Sequence, residues 1–147
     1  MSFIPPSRPG WLLGYSGLIP FVCLAAASGF LAAPLKAQAL FALLAYGAAI
    51  LSFLGAIHWG LALRQAAPPS TGLLLWGVAP GLLAWFALLS GGSIGLLIIA
   101  AGLWSCCAVD WRVYPRMGLR DWLGFRLALT ALASLSCLFA AAVAARM

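Results

Sequence analysis

Between residues 11 and 145 the sequence falls into five apolar runs, each long enough to cross a lipid bilayer as a helix. They cover about residues 11–31, 38–63, 71–89, 94–111 and 122–145. Backbone polar groups in hydrocarbon must pair within their own segment, so runs of this kind fold as helices. Of 147 residues, 65% are hydrophobic and 7% are charged, and Glu is absent. Too few charged side chains are present to cover a water-soluble surface. The expected fold is all-α: residues 1–147 form one integral membrane domain, a five-helix bundle whose first partner is the lipid bilayer.

Proline and glycine mark the boundaries. Pro5, Pro6 and Pro9 predict an extended lead-in through Gly10. Pro20, preceded by Gly17, predicts a kink or a freed carbonyl inside the first run. Pro34 and Lys36 mark a turn, Arg64 followed by Pro68, Pro69 and Ser70 a stop, and Gly91-Gly92-Ser93 a tight reversal. The one polar loop spans residues 112–121. Arg8 and the Ala25–Ala27 stretch also fit a signal peptide, but the apolar run continues through Gly29 to Leu31, longer than such a segment needs.

The cations set an expected orientation. Arg8, Arg64, Arg112, Arg116 and Arg120 fall on one side of five alternating spans, with Lys36 and Arg146 on the other. The positive-inside rule then puts the N-terminus inside and the C-terminus outside. Because the basic residues are scattered at span ends and form no basic face, the net charge of +6 reflects topology, and nucleic acid is not an expected partner. Cys23, Cys106, Cys107 and Cys137 all lie in apolar runs without a C-x-x-C pair, which speaks against a disulfide framework.

One residue resists a purely structural reading. His58, the only histidine, sits inside the second run about six residues before Arg64, roughly 9 Å deep at helical rise. Asp110 near the end of the fourth run and Arg126 near the start of the fifth share that depth. If their spans are neighbours, the three meet in one inward-facing pocket that Tyr15, Ser16 and Trp59 could join. The competing readings are local: Arg126 snorkels to the phosphate layer, Asp110 caps the loop or pairs with Arg112, and His58 holds a structural hydrogen bond. A metal set of His58, Cys107 and Asp110 is a further alternative, although its spacing matches no recognised motif.

Two patterns concern packing and ancestry. Ala48, Ser52, Ala56 and Gly60 recur every fourth residue, a small-residue stripe expected to pack inside the bundle or, as the alternative, to dock a partner. Gly17-Leu18-Ile19-Pro20 and Gly77-Val78-Ala79-Pro80 occupy similar places in the first and third runs. Each is followed by a run that carries a polar residue before tryptophan toward its end, His58-Trp59 or Asp110-Trp111, as either a duplicated two-helix unit or the common use of Gly, Pro and Trp in membrane spans would give.

No phosphate-binding loop, HExxH, nucleophile elbow or carboxylate pair is present, so hydrolytic chemistry by this chain alone is not expected. The run 46–63 with His58-Trp59-Gly60, the Gly17–Phe21 and Pro80–Trp85 segments and the Asp110 region together resemble the transmembrane protein sixty-nine family of bacteria and mitochondria. The resemblance implies a five-span protein of the bacterial cytoplasmic (inner) membrane, or of the mitochondrial inner membrane in a eukaryote. It carries no catalytic residues over to this chain and names no cofactor.

The resulting expectation is a non-enzymatic scaffold or accessory factor of an energy-coupling membrane, in a larger membrane complex or as a homo-oligomer. His58, Trp59, Asp110, Arg126 and Tyr15 would surround a quinone or lipid headgroup. The alternative is a small membrane enzyme or metal- or haem-handling factor using His58 with Cys107 and Asp110.

Overall fold

The computed structural model of the chain describes residues 8–64 and 70–147, so Pro5, Pro6, Pro68 and Pro69 lie outside the described residues. Six α-helices and two short 3-10 turns follow one another, and no strand occurs among the described residues. They are α1 (Arg8–Ser16), α2 (Ile19–Phe30), α3 (Leu35–Leu63), α4 (Thr71–Ser90), α5 (Gly92–Val113) and α6 (Leu123–Ala144). Together α1 and α2 make the first span, giving five helical segments long and apolar enough to cross a membrane.

The first span begins earlier than the prolines suggest, at Arg8. Pro9 stands in the opening turn, where a backbone N–H has no intrahelical acceptor and its loss costs nothing. The predicted break falls at Gly17-Leu18, and Pro20 sits in the first turn of α2. Tyr46 of α3 donates its hydroxyl to the Gly17 carbonyl oxygen (2.9 Å), satisfying a backbone group at the break. Pro80 behaves differently: α4 runs straight through it, so the two Gly-x-x-Pro segments are alike in sequence and unlike in structure.

The spans form a ring in chain order, with α6 returning to α2 and α3 crossing the middle to touch α5. α3, 29 residues and about 43 Å long, is the axis. Its buried face carries Leu43, Leu51, Leu54 and His58 toward Leu96, Ile99 and Leu103 of α5. The outward faces carry Phe30, Phe41, Phe53, Trp85 and Phe86, as a lipid-facing surface should.

The small-residue stripe turns out differently from expectation. Ala48 is buried, but Ser52, Ala56 and Gly60 are exposed. A strict four-residue repeat advances about 40° per step on a 3.6-residue helix, so a stripe that starts in the core ends on the surface. Close approach is made by Gly47 and Gly55 instead. A Cβ on Gly47 would lie 2.8 Å from Ile99, and one on Gly55 2.6 Å from the Gly77 carbonyl oxygen of α4. Gly77 in turn leaves space for the Trp59 indole, which a methyl group there would overlap.

Gly77→Ala and Gly55→Ala are therefore expected to destabilise the bundle by about 1–3 kcal/mol each through overpacking. Gly60→Ala, where a Cβ meets nothing within 4 Å, should be neutral or slightly stabilising. Thermal unfolding in detergent measures all three, and equal losses would refute this assignment of the α3–α4 contact.

Candidate functional site

Asp110 leaves α5 one turn before its end, and its carboxylate is enclosed by α3 and α6. Arg126 Nε donates to Oδ2 at 2.7 Å, and His58 Nε2 lies 3.2 Å from Oδ1. His58 and Asp110 are each 1% exposed and Arg126 8%. Arg126 is thus an inward-turned partner of Asp110 that does not snorkel, and Asp110 pairs across the bundle instead of with Arg112.

The imidazole is anchored on one side and faces the carboxylate on the other. Its Nδ1 lies 3.2 Å from the Leu54 carbonyl oxygen, which can only accept, so that contact assigns the proton to Nδ1. Nε2, an acceptor in that tautomer, faces Asp110 Oδ1, and neither atom makes a hydrogen bond. Tyr114, in the 3-10 turn after α5, covers this corner with its ring centroid 6.4 Å from that of His58. A carboxylate against a guanidinium in a low-dielectric interior is a strong electrostatic tie only while both partners remain in place.

A cavity of about 480 Å³ opens beside this cluster, between α1–α2, α3 and α6. Its wall is overwhelmingly apolar, with Leu18, Phe21, Ile50 and Leu103 toward the middle of the bundle and Tyr114, Trp122 and Phe125 near the loop end. Two buried polar side chains interrupt it: Arg126 and, one turn deeper on the same face of α6, Thr130. Arg126 Nη2 and Thr130 Oγ1 have no hydrogen-bond partner. Leaving such groups unmet in an apolar wall is costly; both side chains line the cavity, while these two atoms are themselves closed off from it. His58 and Asp110 lie behind Arg126 and do not line the cavity.

The other residues singled out from the sequence lie elsewhere. Trp59 faces α4, where its Nε1 donates to the Leu74 carbonyl oxygen (2.7 Å), tying the two helices together. Tyr15 is exposed and packs against Trp11 and Phe125, outside the cavity lining. Ser16 donates to the Leu13 carbonyl oxygen of its own helix. Cys107 is buried on α5, and among the described residues no three His, Cys, Asp or Glu side chains converge as a metal would need; the set of His58, Cys107 and Asp110 is therefore not assembled.

Sequence reasoning did not reach Tyr114 or Thr130. A tyrosine in a polar loop looks like an interfacial anchor, and a threonine in an apolar helix normally bonds its own backbone four residues back. Only the missing bond at Thr130 marks it, and that is visible in three dimensions alone.

The fold and cluster define a polytopic helical membrane protein with a buried Asp110–Arg126 ion pair, flanked by His58, beside an apolar cavity. Residues 6–142 match the family described as "Protein of unknown function (DUF3429)". The chain is also 36% identical over 120 residues to Transmembrane protein 69 of Xenopus tropicalis. That match covers 74% of this chain and 44% of the relative, so the chain spans less than half of the relative's length. No solved structure matches. The chain belongs to this family of multi-pass membrane proteins, as the resemblance carried by its His58-Trp59-Gly60 segment implies.

If Asp110 neutralises Arg126, Asp110→Leu should cost about 3–5 kcal/mol, because it strands a buried guanidinium. Adding Arg126→Met should recover most of that loss, since an apolar pair removes both the attraction and the desolvation penalty. Chemical denaturation in mixed micelles reads both variants. A double variant as unstable as the single would refute the ion pair as the cause.

Proposed function

We propose that the protein is a non-enzymatic accessory factor of an energy-coupling membrane that holds an amphipathic ligand, a quinone or a lipid, in the α1–α2/α3/α6 cavity. One observation carries the reading: an otherwise apolar cavity of about 480 Å³ is lined on one helix face by Arg126 and Thr130, two buried polar side chains whose hydrogen-bonding capacity is not filled within the protein. Apolar walls with a few convergent polar groups are the usual make-up of a small-molecule site.

A binding role is favoured over a catalytic one by what faces the cavity. Arg126 offers hydrogen-bond donors and no acceptor. Asp110 and His58, which could exchange protons, engage each other and Arg126 behind the wall. The arginine-rich end of the bundle, carrying Arg64, Arg112, Arg116 and Arg120, would lie on the cytoplasmic or matrix side. Assignment to the bacterial cytoplasmic membrane, or the mitochondrial inner membrane in a eukaryote, rests on the family resemblance.

Native mass spectrometry of the protein purified in mild detergent tests the reading. The wild type should carry an amphipathic adduct, and Ala133→Phe, which places a ring in the cavity, should lose it while remaining folded. His58→Ala should leave co-purification with a larger membrane complex intact. A wild type free of any adduct, or an adduct that Ala133→Phe retains, would overturn the cavity as the binding site.

A further inference from the structure

The cavity's two ends differ in a way that narrows the ligand. We infer that it takes a neutral quinone, with its ring among Tyr114, Trp122 and Phe125, a carbonyl oxygen on the Arg126 guanidinium and its apolar tail toward Phe21 and Leu103. The inference rests on the ligand-holding reading above and adds the chemistry of the head.

Three observations select that head. The first is charge. Arg126 is already paired with Asp110 at 2.7 Å, so the guanidinium that reaches the cavity is compensated. An anionic headgroup would bring a second negative charge close to the Asp110 carboxylate in a medium of low dielectric, whereas a carbonyl oxygen takes a hydrogen bond without adding charge. The second is shape. Aromatic side chains cluster at the polar end, where Trp122 and Phe125 lie 6.1 Å apart at 65°, and flat rings favour offset or edge contact with a flat guest. The third is the donor pair. Thr130 lines the cavity one helical turn from Arg126, 2% exposed and with its hydroxyl unpartnered and closed off, and a turn of its side chain about χ1 brings that hydroxyl to an oxygen on the ring.

The same geometry limits what can enter. Beyond the polar end the wall offers Leu18, Ile50, Leu103 and Ala133, a surface for a hydrocarbon tail. The exposed Leu13 and Phe53 also line the cavity, so the tail can reach the lipid between α1 and α3. α1 itself has no buried residue and is set off from α2 by the Gly17-Leu18 break. Lateral entry past α1 thus requires no opening of the core.

The test is a titration of the full-length protein in phosphatidylcholine nanodiscs with a decyl-substituted benzoquinone, read by tryptophan fluorescence. Saturable quenching is expected, and Trp122→Phe should remove much of it. Thr130→Val should weaken binding roughly fivefold, the size of one neutral hydrogen bond. The same variant should leave the thermal midpoint of the ligand-free protein unchanged or raised, because a hydroxyl with no partner is lost. A purely structural threonine would instead lower the midpoint and leave binding alone.

Quenching that rises linearly without saturation, or affinity unchanged by Thr130→Val, overturns the quinone assignment. Displacement of the quinone by phosphatidylglycerol but not by phosphatidylcholine also overturns it, in favour of an anionic lipid head. The broader reading fails separately: if Ala133→Phe still releases a co-purified amphipath while quinone binding is absent, the cavity remains a ligand site and only the quinone falls.

Discussion

The bundle depends on one carboxylate that cannot be exposed and cannot be left alone. Asp110 lies on the inner face of α5 at 1% exposure, with Arg126 of α6 on one oxygen and His58 of α3 near the other. Placing a charge there is expensive in any protein interior, and more so where the surroundings are lipid. The cost is offset only if α3, α5 and α6 keep a common register at that depth. The triad therefore acts as a geometric constraint on three spans that apolar packing alone would let slide or rotate.

Around that constraint, the rest of this end of the bundle is arranged to enclose it. Tyr114 covers the imidazole from the turn after α5, and Leu54 supplies the carbonyl that orients it. On the other side, α3 and α4 approach at Gly55 and Gly77, with the Trp59 indole seated on Gly77 and bonded to Leu74. His58 and Trp59 thus do different jobs from adjacent positions: one points into the charge cluster, and the other fastens its helix to a neighbour. Successive residues on a helix lie about 100° apart, so a histidine-tryptophan pair cannot serve a single site.

The five spans were legible because membrane helices announce themselves by length and hydropathy, which are local properties. The shared depth of His58, Asp110 and Arg126 was legible too, since depth follows from counting residues back from each span's end. Which way each side chain turns does not follow from counting. Tyr15 and Ser16 share the depth and face away, and the stripe from Ala48 to Gly60 rotates out of the core as it descends. Thr130 was hidden altogether, because its significance lies in a bond it fails to make.

The sequence by itself determined the solvent of this protein, the number of its spans, and the level at which its few ionisable groups would sit. Apolar length and the placement of proline, glycine and arginine act within a single segment and need no knowledge of neighbours. Tertiary structure alone decided that Arg126 turns inward to Asp110, that Trp59 serves packing, and that a cavity with an unpaired guanidinium nitrogen and an unpaired hydroxyl lies between α1–α2, α3 and α6. Those outcomes depend on the rotation of each helix about its own axis, which is set by close approach at Gly47, Gly55 and Gly77 and by the charge that must not be left unpartnered.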